Sequence, residues 1–262
     1  MAAETSSADE VTMLDHADPR RRSCPWAVGA SLGVAAAAAE YLPAAVALGQ
    51  WTPLQALPGG LCRWQGPRFP GRVAITFDDG PHPEGTPKIL ARLDELGLRA
   101  TFFPVGSEVA REPALIDDIL GRGHALGTHG FAHAHHLVKS PRWVRRDLDT
   151  AGELMEALGV ALRWFRPAYG QVTGATLLHA RRKGWDTVLW SSWGREWATT
   201  SPRAVAARIG RRLRPGAVVL LHDSDRFGPE GMWRVAYEAL GAVGDELARR
   251  HLDAVTLDEL VV

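Results

Sequence analysis

Two adjacent carboxylates, Asp78 and Asp79, end the mostly apolar run Val73 to Phe77 and are followed at once by Gly80 and Pro81. Neighbouring side chains leave a strand end in different directions, so one carboxylate can bind a cation while the other handles a proton. A plain Asp-Gly-Pro turn has the same sequence. Further on, His124, His129, His133, His135 and His136 crowd one short stretch. His129 and His133 are four apart, and on a helical turn they would share a face. A divalent cation could bridge them there, with a carboxylate such as Asp79 completing a His-His-Asp set that leaves positions open for water. A solvated helix face is the alternative for that pair, and it is the reading given to His135 and His136.

Three more clusters follow apolar runs. Arg166 opens Arg-Pro-Ala-Tyr-Gly, where a guanidinium beside a carboxylate would orient it and keep it charged. A backbone N–H in the Tyr169–Gly170 turn can donate to a developing oxyanion; an ordinary ion pair and proline turn fit the same residues. Glu196 lies among Trp190, Trp193 and Trp197, three rings that suit either a wall for sugar faces or a core. His222 follows Val218 to Leu221, where a histidine can serve as general acid or merely as a polar strand end. Each cluster has an ordinary explanation alone; together they argue for one metal-dependent site.

Strands are predicted over 73–77, 100–104, 124–128, 163–166, 186–190, 217–221 and 253–257, and each of the clusters above follows one of these runs. Thr86-Pro87, Ser140-Pro141 and Ser201-Pro202 each read as a capping hydroxyl before a proline in the first helical turn, and Gly97, Gly159 and Gly184 as helix stops. Alternating strands and helices give an α/β protein with a parallel sheet, open or closed into a barrel. In both forms ligands bind at the carboxyl ends of the strands.

The 262-residue chain has 46% hydrophobic and 23% charged residues, enough apolar content for a sizeable core, and excludes disordered and small disulfide-built classes. Thirty basic residues balance thirty acidic ones, so no net field gathers nucleic acid, which is not expected as a partner. The two cysteines, Cys24 and Cys62, precede the reactive clusters, which leaves no thiol chemistry there.

Residues 1–22 read as a flexible polar tail. Residues 23–49 form an Ala-rich apolar segment, and residues 50–71, rich in proline and glycine, read as a linker to a catalytic domain at 72–262. The arginines at 20–22 and the triplet Ala45-Val46-Ala47 resemble an export signal. The uncharged stretch from Ser23 to Ala39 is shorter than the roughly 20 residues of a spanning helix. Membrane association through 23–49 and a place in the cell envelope are therefore expected, with a packed helix on a cytoplasmic protein as the alternative.

From Arg72 onward the chain resembles the polysaccharide deacetylases, the family of the NodB-homology domain also called carbohydrate esterase family 4. Thr76-Phe77-Asp78-Asp79-Gly80-Pro81 matches its first motif completely, and the other motifs follow in the family's order. The resemblance implies a distorted seven-stranded (β/α) barrel, Asp78 as general base, and Asp79, His129 and His133 as ligands of one divalent ion, zinc by preference. It further implies that Arg166 holds the base, that the Tyr169 backbone contributes to an oxyanion hole and that His222 is the general acid. Four positions in three motifs depart from the pattern. Gly130 stands where Ser or Thr normally follows the first histidine, so a supporting hydrogen bond is lost and a looser metal loop is expected. Ala168 replaces a proline. Trp193 and Glu196 stand at two aspartate positions of the fourth motif, the second of which normally tunes the acid histidine.

The expected activity is hydrolysis of an N-acetyl or related acyl group from a sugar or polysaccharide, with an acylated glycan or oligosaccharide as partner. Two alternatives stay open: an amide or imide hydrolase on a non-sugar substrate, and a non-catalytic glycan-binding module on the same fold.

Overall fold

β1 (Arg72–Asp78) is central, and its sequence shows why: six of its seven residues are buried, the continuous burial typical of a parallel strand covered on both faces. It pairs in parallel with β2 (Ala100–Phe103) and with β7 (Val218–His222), and β8 (Asp253–Val255) runs along its first residues. With β3 (Ala125–Leu126) and β6 (Ser192–Trp193) the order is β3-β2-β1-β7-β6. β4 (Trp164–Phe165) and β5 (Asp186–Thr187) form a second parallel pair, joined to the strand-end of β3 by a bridge between Thr128 and Phe165. The computed structural model describes residues 36–37, 39–41, 62–67 and 71–262. The tail at 1–22 and nearly all of the Ala-rich segment lie outside the described residues.

All seven expected strands are present, shorter at several ends, and β6 is an additional one inside the run that follows β5. Between β5 and β7 the gap is spanned by residues of the stretch read as a linker: Arg63 bridges to Val188 and Gln65 to Ala217. The result is a distorted (β/α) barrel.

The helices are α1 (Gly85–Leu96), α2 (Gly106–Val109), α3 (Ala114–Gly121), α4 (Pro141–Ala157), α5 (Gly174–Arg182), α6 (Pro202–Arg212), α7 (Met232–Arg249) and α8 (Leu257–Leu260). Ser140 and Ser201 cap α4 and α6 by accepting from Trp143 N and Ala204 N, with proline at the start of each helix. Thr86 is not a cap. α1 begins at Gly85, and the Thr86 hydroxyl instead donates to Asp223 Oδ2 at 2.5 Å. Gly97, Gly159 and Gly184 all have φ between 63° and 78°, the left-handed conformation that stops a helix.

The two-residue period of β1 sorts its side chains. Val73, Ile75 and Phe77 face the main core, with Leu90 and Leu93 of α1 and Leu240 and Val243 of α7. Ala74 points into the barrel with Phe103, Trp164, Val188 and Val218. Thr76 and Asp78 share that inner side, so Asp78 emerges at the carboxyl end of the barrel, beside His222 in the parallel register.

Candidate active site

Arg166, wholly buried, fills the barrel beneath the strand ends. Its Nη1 donates to Asp78 Oδ1 and to Thr76 Oγ1, both at 2.7 Å, while Nε and Nη2 donate to the carbonyls of Val188 and Leu189. Its plane lies 4.1 Å above the Phe103 ring. Burial lowers the Arg166 pKa, and the Asp78 charge opposes that. The guanidinium thereby fixes one oxygen of Asp78 and leaves the other, Oδ2, 3.8 Å from His129 Nε2.

Asp79 follows in the left-handed region (φ 76°), which turns its carboxylate away from that of Asp78. One oxygen, Oδ1, lies 3.1 Å from His133 Nε2 and 3.6 Å from His129 Nε2, aligned with neither for a hydrogen bond. Burial opposes ionisation of Asp79, yet the nearby rings of His133, His222 and His129 outweigh it and draw its pKa down to about 2. His129 Nδ1 donates to the Arg166 carbonyl at 2.7 Å, which leaves the Nε2 lone pair facing Asp79. Burial holds the His129 pKa down at about 4, so the ring is neutral.

One donor atom from each of Asp79, His129 and His133 lies within 4.8 Å of the other two. A buried carboxylate oxygen without a hydrogen bond, facing two imidazole nitrogens, fits a divalent cation of the zinc type. The two histidines do not share a helical turn as expected. Residues 129–133 form a loop turned by Gly130 (φ 84°), and the imidazole centroids lie 5.2 Å apart. His133 is flanked by Tyr169 and Phe227, with ring centroids at 4.5 and 4.4 Å. Tyr169 itself is left-handed (φ 57°) and half exposed, stacked on His135. His136, read as solvated, is buried and contacts the Thr176 hydroxyl at 3.1 Å.

His222 closes the ring of groups. Its Nδ1 is 2.6 Å from Glu196 Oε1 and its Nε2 is 3.9 Å from Asp79 Oδ2. Burial disfavours the imidazolium, but Glu196 reverses this, aided by Asp79 and Asp78, and pushes the His222 pKa up to about 9. The longer acid at this fourth-motif position therefore still reaches the histidine. The three tryptophans do not form one wall. Trp190 packs against Gly170, Trp193 lies under the Arg212 guanidinium at 4.0 Å, and only Trp197 stands edge-on to His222 at 5.4 Å.

Three residues at the site escaped the sequence reading. Phe227 and Asp223 lie in the loop after β7, Asp223 buried against Thr86. Asp147 accepts from the amides of Phe131 and Ala132 between the two histidines. A signal for Asp147 existed: it is the one carboxylate on the buried stripe of α4, among Val144, Leu148, Ala151 and Met155.

Known proteins resemble this chain in sequence and in fold. The polysaccharide deacetylase family profile matches residues 66–188. A peptidoglycan-N-acetylglucosamine deacetylase of Bacillus cereus is 33% identical over 207 residues, covering 78% of this chain and 94% of that protein. The chain belongs to the polysaccharide deacetylase family. A chitooligosaccharide deacetylase of a Bradyrhizobium species is 36% identical over 160 residues, covering 60% of this chain and 73% of that one. The crystal structure of a peptidoglycan N-acetylglucosamine deacetylase bound to an N-hydroxybenzamide superposes with a TM-score of 0.74 at 29% identity, over 80% of this chain and 97% of that one. As a member of this family the chain is a polysaccharide-deacetylase-like hydrolase of carbon–nitrogen bonds other than peptide bonds.

Proposed function

We propose that this polysaccharide deacetylase removes acetyl groups from N-acetylglucosamine units of peptidoglycan or chitin-type oligosaccharides, and that it acts in the cell envelope. The observation that carries the reading is the meeting of Asp78 with Arg166, Asp79 with His129 and His133, and His222 with Glu196 at one end of one barrel. The names of its relatives support the glycan class. The catalytic unit we assign to residues 72–262. No helix among the described residues is long and apolar enough to cross a membrane, and the segment 23–49 proposed for membrane association lies almost wholly outside them.

Asp79, His129 and His133 would hold the cation, zinc by the preference of a mixed imidazole and carboxylate set. When bound there, such an ion supplies Lewis acidity that polarises an acyl carbonyl and acidifies water. Asp78, with one oxygen fixed by Arg166, uses the other to take a proton from the attacking water. The peptide N–H of Tyr169, in its left-handed turn, would donate to the oxyanion that develops on the acyl oxygen. His222, charged through Glu196, gives its Nε2 proton to the amine nitrogen as the carbon–nitrogen bond breaks. The acetyl group departs as acetate with the water oxygen, and the sugar keeps a free amine.

The test is acetate release by the full chain from peptidoglycan fragments and chitin oligomers, before and after chelation and zinc replenishment. Release lost on chelation and restored by zinc is the expected result. Folded protein with zinc bound and no release from either glycan would overturn the proposal.

A further inference from the structure

The family resemblance leads one to expect a loose loop between the two histidines, because Gly130 lacks the hydroxyl usual at its position. The loop is instead held by four of its backbone groups. On one side the carbonyls of Gly130 and Phe131 accept from the amides of Gly106 and Ser107, at 2.8 and 2.9 Å. On the other, Asp147 Oδ2 accepts from Phe131 N at 3.1 Å and Oδ1 from Ala132 N at 2.7 Å. The Asp147 side chain is only 3% exposed, so these charge-assisted bonds form away from competing water. His136 flanks the same carboxylate with Nε2 at 3.9 Å, and its other nitrogen meets the Thr176 hydroxyl of α5.

Gly130 is what lets the carboxylate in. A Cβ on residue 130 would lie 2.6 Å from Asp147 Oδ2, and the φ of 84° there strains any L side chain. A side chain at position 130, the usual Ser or Thr included, would therefore have to push the Asp147 carboxylate out of its present place. We infer that Asp147 is the positioning residue of the metal loop, setting the separation of His129 and His133 through the two amides between them, and that Gly130 is its necessary counterpart.

This inference rests on the reading that Asp79, His129 and His133 hold a metal, and the experiment separates the two. Zinc affinity of the metal-stripped full chain is measured by competition with a chromophoric chelator, for wild type and for Asp147→Ala, Asp147→Asn and Gly130→Ser. Loss of a group that orients a ligand loop weakens metal binding about 10- to 100-fold, which is expected for Asp147→Ala. Asp147→Asn keeps the shape and one acceptor oxygen but turns an amide N–H toward a backbone N–H, so a smaller loss is expected, and this variant decides the matter if the alanine form does not fold. Gly130→Ser should weaken binding in the wild type and cost less when combined with Asp147→Ala, since the clash is then gone. Val144→Ala, which removes core packing from the same helix, should lower the melting temperature and leave the zinc affinity unchanged. Wild-type zinc affinity in both Asp147 variants would overturn the positioning role. No zinc binding by the wild type would instead overturn the metal site itself.

Discussion

Glu196 Oε1 lies 2.6 Å from His222 Nδ1, with the carboxylate side chain fully buried and the second ring nitrogen of His222 facing Asp79. The left-handed conformation of Arg195 (φ 57°) starts the turn that brings Glu196 into this position. In this arrangement the proposed general acid is a pair of residues, the imidazole carrying the proton and the carboxylate holding it there.

In the metal-free protein His222 should titrate at about 9 by proton NMR, because Glu196 outweighs the burial that alone would push it down. Since that folded value is above the ordinary 6.5 of histidine, the pair stabilises the fold fully below about 6.5 and loses its contribution as pH rises through about 9. In Glu196→Gln only the burial and the weaker Asp79 and Asp78 fields remain, so the titration should fall by more than a unit and the alkaline limb of acetate release should move down with it. An unmoved His222 titration in that variant would refute the coupling.

Arg166 and Asp78 should separate stability from chemistry. Arg166→Leu leaves the Asp78 carboxylate buried without its partner, and breaking a buried pair in this way costs about 3–5 kcal/mol, read from the denaturant midpoint. Asp78→Asn keeps the shape and should bind zinc, yet acetate release should fall by about 10²- to 10⁴-fold with the loss of a general base. Unimpaired turnover in purified Asp78→Asn would remove Asp78 from the mechanism.

Zinc should stabilise the folded chain by mass action, about 2.7 kcal/mol at a concentration one hundred times the dissociation constant. The melting temperature of stripped protein should rise on zinc addition and fall again with chelator. In Asp79→Ala or His133→Ala the shift should vanish, because each removes one of three donors. A full shift in either variant would place the metal elsewhere.

The parts of this architecture that depend on neighbouring residues could be read from the chain. Ser140 and Ser201 cap their helices, Gly97 ends α1 in the left-handed region, and the apolar run 73–77 is the buried heart of β1. Readings that depended on distant partners were the ones to change. Thr86 has the local signature of a cap, but its hydroxyl is taken by Asp223, 137 positions away. His129 and His133 have helical spacing, but backbone bonds from Gly106 and Ser107, with the accepting carboxylate of Asp147, hold a loop instead. Trp190, Trp193 and Trp197 are close in sequence, yet the two-residue strand β6 and the left-handed Arg195 send them to three surroundings. The reactive residues themselves were legible because each follows a strand, and a parallel barrel gathers those ends without further instruction.

Asp223 gives the sharpest pH test outside the reacting groups. It is almost entirely buried, its Oδ2 accepts the Thr86 hydroxyl, and its carboxylate fills the space where Gly80 has no side chain. Burial raises its pKa to about 7, which the Thr86 hydrogen bond only partly offsets. An acid with a raised folded pKa binds more protons folded than unfolded, so its effect on stability is absent near pH 3.8 and becomes a growing penalty as pH rises toward about 7, constant above that. At about 1.4 kcal/mol per pKa unit, the penalty at pH 8 is a few kcal/mol. Asp223→Asn can still accept the Thr86 proton and carries no charge to bury, so it should be more stable than the wild type in urea at pH 8, with the gap closing as pH falls to 4. Equal wild-type and variant midpoints at both pH values would show that Asp223 is not held protonated by its surroundings.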